Sequence, residues 1–323
     1  MAYNKSSVLY GLVSRQSVSG CSGRSLQRLV VQQGQQLKAQ SQKQVHDLLS
    51  SWSSEDVDSS AVSKSNFKHI QAVELNQSWD NLNHKGLKSS VLEGLSQFEV
   101  CDFEDAAQSV YISNDDVCCK RQKASRKSTK SLDNSPITKD FSIHKYPERK
   151  MLFHNMSHIQ YLDQTYEYCG PRLSQMINPL KAILLDNKLQ DKNWIFLVDG
   201  QRTINECIEK HFGQNRKIEL ILDWYHLQKK VQAQFSKGTY RTIEREKAMY
   251  EVKHLLWHGL VQQAKDYLTN LTDNLIKQAD QIERLKQYLD RYSKYIKCYA
   301  LRRELGWVNS SNRVEKTNDL VIA

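Results

Sequence analysis

The chain is short of glycine, with 12 among 323 residues, and shorter still of proline, with 4. That scarcity excludes a collagen-like repeat and argues against a loop-rich all-β protein. No apolar run approaches the roughly 20 residues that a membrane helix needs. The N-terminus lacks the apolar stretch of a secretory signal. The seven cysteines are an odd count at irregular spacing, with Cys118 and Cys119 adjacent and no C-x-x-C. This argues against a disulfide framework and against a zinc ribbon. A reducing cytoplasm is the simplest setting. Hydrophobic residues make up 39% of the chain and the mean hydropathy is -0.65, so a soluble protein with a modest core is expected.

What is abundant is positive charge. The formal net charge is +10 and the pI about 9.1. Such an excess favours a polyanionic partner, usually nucleic acid. A merely basic soluble protein is the plainer alternative. The length allows one large domain or two ordinary ones.

Residues 1–50 read as helical and cationic. Ser7 to Val13 is a short apolar-bearing segment, and Ser17 to Gly20 breaks it. Ser22 or Ser25 could cap a second helix that carries Leu26, Leu29, Val30 and Val31, together with Arg24 and Arg28. Helix, turn, basic helix is a helix-turn-helix outline, which DNA binding and plain helical packing explain equally well. Gln32 to Gln44 continues as an exposed helix. Residues 51–107 are rich in Ser, Asp, Asn and Glu and read as a poorly defined linker, with some helix expected within Val91 to Phe98.

At Ser109 the texture changes. Val110 to Ile112 is a β-type run, followed by Asp115 and Asp116 and then by Lys120, Arg121, Lys123, Arg126, Lys127 and Lys130. Carboxylates at a strand end suit a divalent metal, and cations beside them suit phosphate. A hairpin with a solvated turn and a basic loop would look the same. Met151 to Ile159 reads as a strand with His154 and His158 on one parity, a pair that suits packing or hydrogen bonding better than metal. Pro171 to Asn187 is an amphipathic helix. Then come the apolar runs Ile195–Val198 and Ile218–Leu222, ending on Asp199 and Asp223 and separated by a helical Thr203–Phe212. The alternation predicts an α/β fold with a mixed sheet. From Lys229 to about Gly306 the apolar spacing is helical. Asn309 to Arg313 reads as a turn, and Glu315 falls in the first turn of one more helix.

Asp115, Asp199 and Glu315 therefore stand on three separate elements. Three such carboxylates can hold two divalent metals a few Å apart, the arrangement used for phosphodiester chemistry, and Mg²⁺ (or Mn²⁺) suits carboxylate plus phosphate.

In the segments Val110 to Lys123, Phe196 to Ile204, Leu220 to Lys230 and Ser310 to Val321, with His154 to Gln160 as an early core strand, the chain resembles insertion-sequence transposases of the DDE type. The resemblance is greatest to the prokaryotic ISKra-type group, which is related in catalytic design to Mutator-like transposases. It covers roughly the last two-thirds of the chain.

The resemblance implies an RNase H-like catalytic domain over 108–323, interrupted by an all-helical insertion at about 227–306. It implies Asp115, Asp199 and Glu315 as catalytic ligands of two Mg²⁺ or Mn²⁺ ions, with Asp116 ranked behind Asp115. Asp223 and His226 would form a supporting Asp-x-x-His pair that orients DNA or braces the site. Arg24, Arg28, Lys120, Arg121, Lys123 and Arg126 are candidate DNA contacts. The partners implied are the element's terminal repeats and a target DNA, met by a homo-oligomer in the prokaryotic cytoplasm at the nucleoid, with no membrane. Both ends look cut short against the family pattern, so a truncated copy is expected. A DNA-binding remnant without activity and an RNase H-like nuclease are the alternative functions.

Overall fold

The structure, a computed structural model, describes residues 23–51, 67–120, 151–170, 173–213 and 218–311. A five-stranded mixed sheet lies at its centre, in the order β3-β2-β1-β4-β5. The strands are β1 (Ser109–Lys120), β2 (Met151–Tyr161), β3 (Gln164–Gly170), β4 (Asn193–Val198) and β5 (Ile218–Leu222). The first three pair antiparallel, whereas β4 lies parallel to both β1 and β5. All six residues of β4 are buried. A continuous apolar run such as Trp194 to Val198 fits a central parallel strand covered on both faces. Edge strand β3 is mostly exposed and alternates instead.

Helices α4 (Leu173–Asp186) and α5 (Arg202–Phe212) flank the parallel half. Ile204, Ile208 and Phe212 recur at helical spacing and form the buried stripe of α5. Phe212 meets Trp194 edge-on at 5.7 Å and Phe196 at 5.3 Å between ring centroids.

Two differences from the sequence reading concern the sheet. Strand β3 follows β2 after a tight turn at Leu162, whose φ of 51° is unusual for a branched residue. It falls where no element was expected. Strand β1 does not end at Asp115. Pairing with β4 stops at Ser113↔Leu197, but pairing with β2 continues to Lys120↔Met151. The acid lies inside a ribbon of two strands that runs on past the parallel sheet, because β2 still satisfies the backbone there.

The segment expected to be linker folds from Phe67 onward. It forms α2 (Ala72–Asn83) and α3 (Ser89–Leu95), and Phe67, Ile70, Leu75, Leu82, Val91, Leu95 and Phe103 join the common core. Asn193 locks the segment to the sheet: its Oδ1 accepts from Lys68 N at 2.9 Å and its Nδ2 donates to Lys68 O at 2.7 Å. At the N-terminal end, α1 (Gly23–Ser51) is one long helix whose described side chains are mostly exposed, Arg28 among them, and it lies against α4. The proposed first helix and turn of a helix-turn-helix, and the side chain of Arg24, fall outside the described residues.

After β5 the described chain is helical: α6 (Trp224–Gly238), α7 (Ile243–Trp257), α8 (Val261–Thr269), α9 (Ala279–Tyr292) and the short α10 (Tyr299–Glu304). Helix α9 packs along α6, and α10 packs against α2. The helical apolar spacing from Lys229 to about Gly306 does not form unbroken helix, and α9 stops at Tyr292. A 3₁₀ turn follows, in which Ile296 N is shared between Tyr292 O and Ser293 O at 3.2 Å each. Among the described residues, no helix is long and apolar enough to cross a membrane.

The helical region carries a pH dependence. His258 is buried, and its Nδ1 sits 2.8 Å from His254 O. The two imidazoles lie 4.6 Å apart. Burial lowers both pKa values below the ordinary 6.5. Histidines held neutral in the native state stabilise it fully above that value, and the stabilisation is lost as pH falls below it. The urea midpoint should therefore drop between pH 7.5 and 5.5, and His258→Gln should flatten the drop. An unchanged slope in that variant would mean that these imidazoles are not the cause.

Candidate active site at the sheet edge

The parallel half of the sheet sets the site by register alone. Ser113, Leu197 and Ile221 share one level across β1, β4 and β5. Two residues further along each segment stand Asp115, beyond the last β1–β4 pair at Ser113↔Leu197, and Asp199 and Asp223, each the first residue past its strand. Neighbouring strands lie about 4.8 Å apart, so Asp199 and Asp223 leave adjacent parallel strands at one edge, and Asp115 lies on β1 two residues past its last pair with β4. This is the edge at which open α/β sheets place their chemistry.

Asp199 leaves β4 half-buried and immediately makes a turn. Its Oδ1 accepts from Gln201 N at 2.8 Å, and Gly200 takes φ 87°. Helix α9 closes over this turn. The Tyr292 hydroxyl donates to Gly200 O at 2.6 Å, and a methyl group on Gly200 would come within 2.8 Å of the Tyr288 hydroxyl and 3.2 Å of Leu222 Cδ1. Burial, then the charges of Tyr292, Asp199 and Asp223, push the Tyr288 phenol well above its usual range, so it stays a neutral donor beside both carboxylates.

Gly200→Ala should therefore cost about 1–3 kcal/mol from the strained backbone. Tyr288→Phe added to it should recover the steric part of the loss but not the backbone part. Denaturant midpoints of the single and double variants check this, and a single variant as stable as the parent would exclude the turn described.

Asp223 is wholly buried at the start of α6. Its Oδ1 caps the helix, accepting from Tyr225 N at 2.7 Å and His226 N at 3.2 Å. Such a cap contributes typically about 1 kcal/mol. Its Oδ2 accepts from Ser311 N and Ser311 Oγ, with Ser310 Oγ at 3.4 Å. His226 Nδ1 lies 3.5 Å from Oδ1. Burial alone would raise this pKa. Hydrogen bonds from His226 and Ser311 outweigh it, so the carboxyl sits below its ordinary value and is ionised at neutral pH.

The chain returns to this point from the helical region. Asn309 O accepts from Trp224 N at 3.1 Å, Asn309 Nδ2 donates to Tyr299 O at 2.9 Å, and the buried Tyr299 hydroxyl donates to Leu222 O at 2.7 Å.

The structure thus brings Asp199, Asp223 and His226 to one edge, while Asp115 pairs with Met156 of β2 two residues past the last β1–β4 pair. The side chains of Asp115, Asp116, Lys120 and His154, and the whole of Arg121, Lys123, Arg126 and Glu315, lie outside the described residues. His158 is buried in β2 with Nδ1 3.4 Å from Glu167 Oε1, an environment of packing and hydrogen bonding. Among the described residues no cluster of three His, Cys, Asp or Glu closes on one point. Tyr288, Tyr292 and Ser311 were not singled out from sequence. The signal available was the i, i+4 spacing of the tyrosines on α9, which fits any buried helical face equally well. No family model, no curated protein and no solved structure matches the chain.

Proposed function

We propose that the chain is a DNA transposase of the DDE type, with an RNase H-like catalytic fold, that cuts phosphodiester bonds at its element's ends and joins the 3′ ends to target DNA. The observation that supports this reading is that Asp199 and Asp223 directly follow the adjacent parallel strands β4 and β5, with Asp115 on the neighbouring β1 and the chain returning to Asp223 at Ser311, four residues before Glu315 in sequence. The strand order β3-β2-β1-β4-β5, antiparallel and then parallel, agrees with the fold that the resemblance implies. The net charge of +10 suits a DNA partner.

Asp115, Asp199 and Glu315 would hold Mg²⁺ or Mn²⁺, and an all-oxygen donor set fits these hard cations. Two such ions would activate a water or 3′-hydroxyl and stabilise the leaving oxygen. The protein's own part is to fix the ligand-bearing turns. The Gly200 turn under Tyr288 and Tyr292 holds Asp199, and the α6 cap holds Asp223 beside it. His226, a quarter exposed beside Asp223, would serve as a donor to a DNA phosphate.

The test uses purified protein, Mg²⁺ and a supercoiled plasmid carrying the DNA that flanks the coding frame. Nicks at the element boundaries, followed by joining of pre-cut ends, are expected. Cleavage without joining would make the protein a nuclease of the same fold. Binding without any Mg²⁺-dependent cleavage would make it an inactive DNA-binding remnant.

A further inference from the structure

We infer that the second turn of α6 is a phosphate-binding surface, on which Lys229 and Lys230, each resting on a tyrosine ring, contact the backbone of double-stranded DNA beside the sheet edge. The inference rests on the DNA reading above and adds the surface that the DNA meets.

Composition sets this helix apart. From Trp224 to Gly238, α6 carries three lysines and no acid in 15 residues. Along α8 and α9 the cations are matched by carboxylates instead: Lys265 with Asp290, Arg284 with Asp280 and Lys286 with Glu283. A carboxylate so placed cancels much of the charge that a phosphate would otherwise meet. On α6 the neighbours are rings. Lys229 Nζ lies 3.9 Å from the ring centroid of Tyr225, and Lys230 Nζ lies 5.2 Å from that of Tyr288. An aromatic face attracts an ammonium and leaves its charge intact.

Placement joins the two lysines to the candidate site. They stand three and four residues after His226, so the three side chains share one face of α6. Measured along the helix axis they lie about 10 Å from the Asp223 cap. Tyr288, under Lys230, belongs to α9 and has its hydroxyl over Gly200, next to Asp199. One ring therefore ties Lys230 to the turn that holds Asp199. Lys229 is exposed and Lys230 is half-buried. Each strand of a duplex carries a phosphate about every 3.4 Å along its axis, so DNA seated at the edge has phosphates within that span. A lysine loses rotamer freedom when it makes a contact. One that already rests on a ring loses less, which favours binding without adding a charge.

Salt dependence counts such contacts. The full chain and its variants would bind short DNA duplexes of two unrelated sequences without Mg²⁺, followed by fluorescence anisotropy from about 50 to 200 mM salt. The slope of log affinity against log salt should be shallower by about 0.9 in Lys229→Gln and in Lys230→Gln, and by about 1.8 in the double variant. The loss should be the same on both duplexes, as backbone contacts require. Arginine at both positions should restore the slope. Lys237→Gln, in the last turn of the same helix, should leave it unchanged. Tyr225→Leu should keep the slope and weaken binding by about two- to five-fold, the equilibrium equivalent of one exposed cation–π contact.

If the parent chain binds no DNA, this inference and the transposase reading fall together. If the parent binds and the double variant keeps its slope, this inference alone fails, and the lysines only pack on the tyrosines. A slope flattened equally by Lys237→Gln would show the effect of net charge rather than of a surface, and would overturn it as well. Undiminished affinity in Tyr225→Leu would overturn the part assigned to the rings.

Discussion

Arg302→Ala is expected to remove most of the folding stability of the chain. Arg302 is the largest fully buried side chain among the described residues, and it joins three separate parts of the molecule. Its Nη1 donates to both carboxylate oxygens of Glu104, to Oε2 at 2.7 Å. Its Nε donates to Asn309 Oδ1 at 3.0 Å and its Nη2 to Val308 O at 3.0 Å. The Tyr111 hydroxyl on β1 donates to Glu104 Oε1 at 3.1 Å. Burial works against the charge on Arg302, but Glu104 and its hydrogen bond more than offset that, so the guanidinium stays firmly protonated. Removing one partner of a buried pair strands the other, at a cost of about 3–5 kcal/mol. Domains are typically stable by about 5–15 kcal/mol, so the variant should be marginal at best. Replacing both partners, Arg302→Met with Glu104→Gln, should cost much less, because no bare charge remains. Urea unfolding followed by tryptophan fluorescence checks both. A loss below about 1 kcal/mol in Arg302→Ala would mean that the pair is solvated rather than buried.

That ion pair also shows where sequence reasoning stops. Glu104 and Arg302 stand 198 residues apart, and neither has a local pattern that announces the other. The segment from Phe67 to Gln108 read as linker for the same reason. In α2 only Leu75, Ser78 and Leu82 are buried, three positions among polar neighbours, and their partner α10 comes late in the chain. Strands β4 and β5 were legible because each is covered on both faces and must be apolar throughout. Helix α5 was legible because it buries one stripe. Strand β3 was not, since an edge strand with polar alternation buries little.

The same division holds at the site. Asp199 and Asp223 are visible in sequence as acids closing apolar runs. The role of Asp223 depends on Ser311, and the roof over Gly200 depends on Tyr288 and Tyr292, contacts made only after the helical region folds back. The acid expected at the end of β1 sits inside the strand because β2 extends with it. Period and propensity describe one element at a time, and these contacts join several.

On the transposase reading proposed above, Asp199→Asn should lower Mg²⁺-dependent cleavage of element-end DNA by about 10³-fold or more and leave the fold intact. The amide is nearly isosteric with the carboxylate, and its oxygen can still accept from Gln201 N, so the turn into α5 keeps its hydrogen bond. Gly200, Tyr288 and Tyr292 are untouched, and the denaturant midpoint should move by no more than about 0.5 kcal/mol. What is lost is one negative charge at the end of β4, beside Asp223 on the neighbouring strand end. A metal clamp contributes several kcal/mol to the transition state, and each 1.36 kcal/mol is tenfold in rate, so cleavage should fall by about 10³-fold or more. Single-turnover cleavage with Mg²⁺, beside a DNA-binding titration at the same salt, separates chemistry from affinity. Binding should be retained or slightly tightened, because removing an acid lessens repulsion with phosphate. If the variant cleaves within a few-fold of the parent while binding equally, Asp199 holds no catalytic metal. Asp199 and Asp223 would then serve only the turn and the helix cap at the sheet edge.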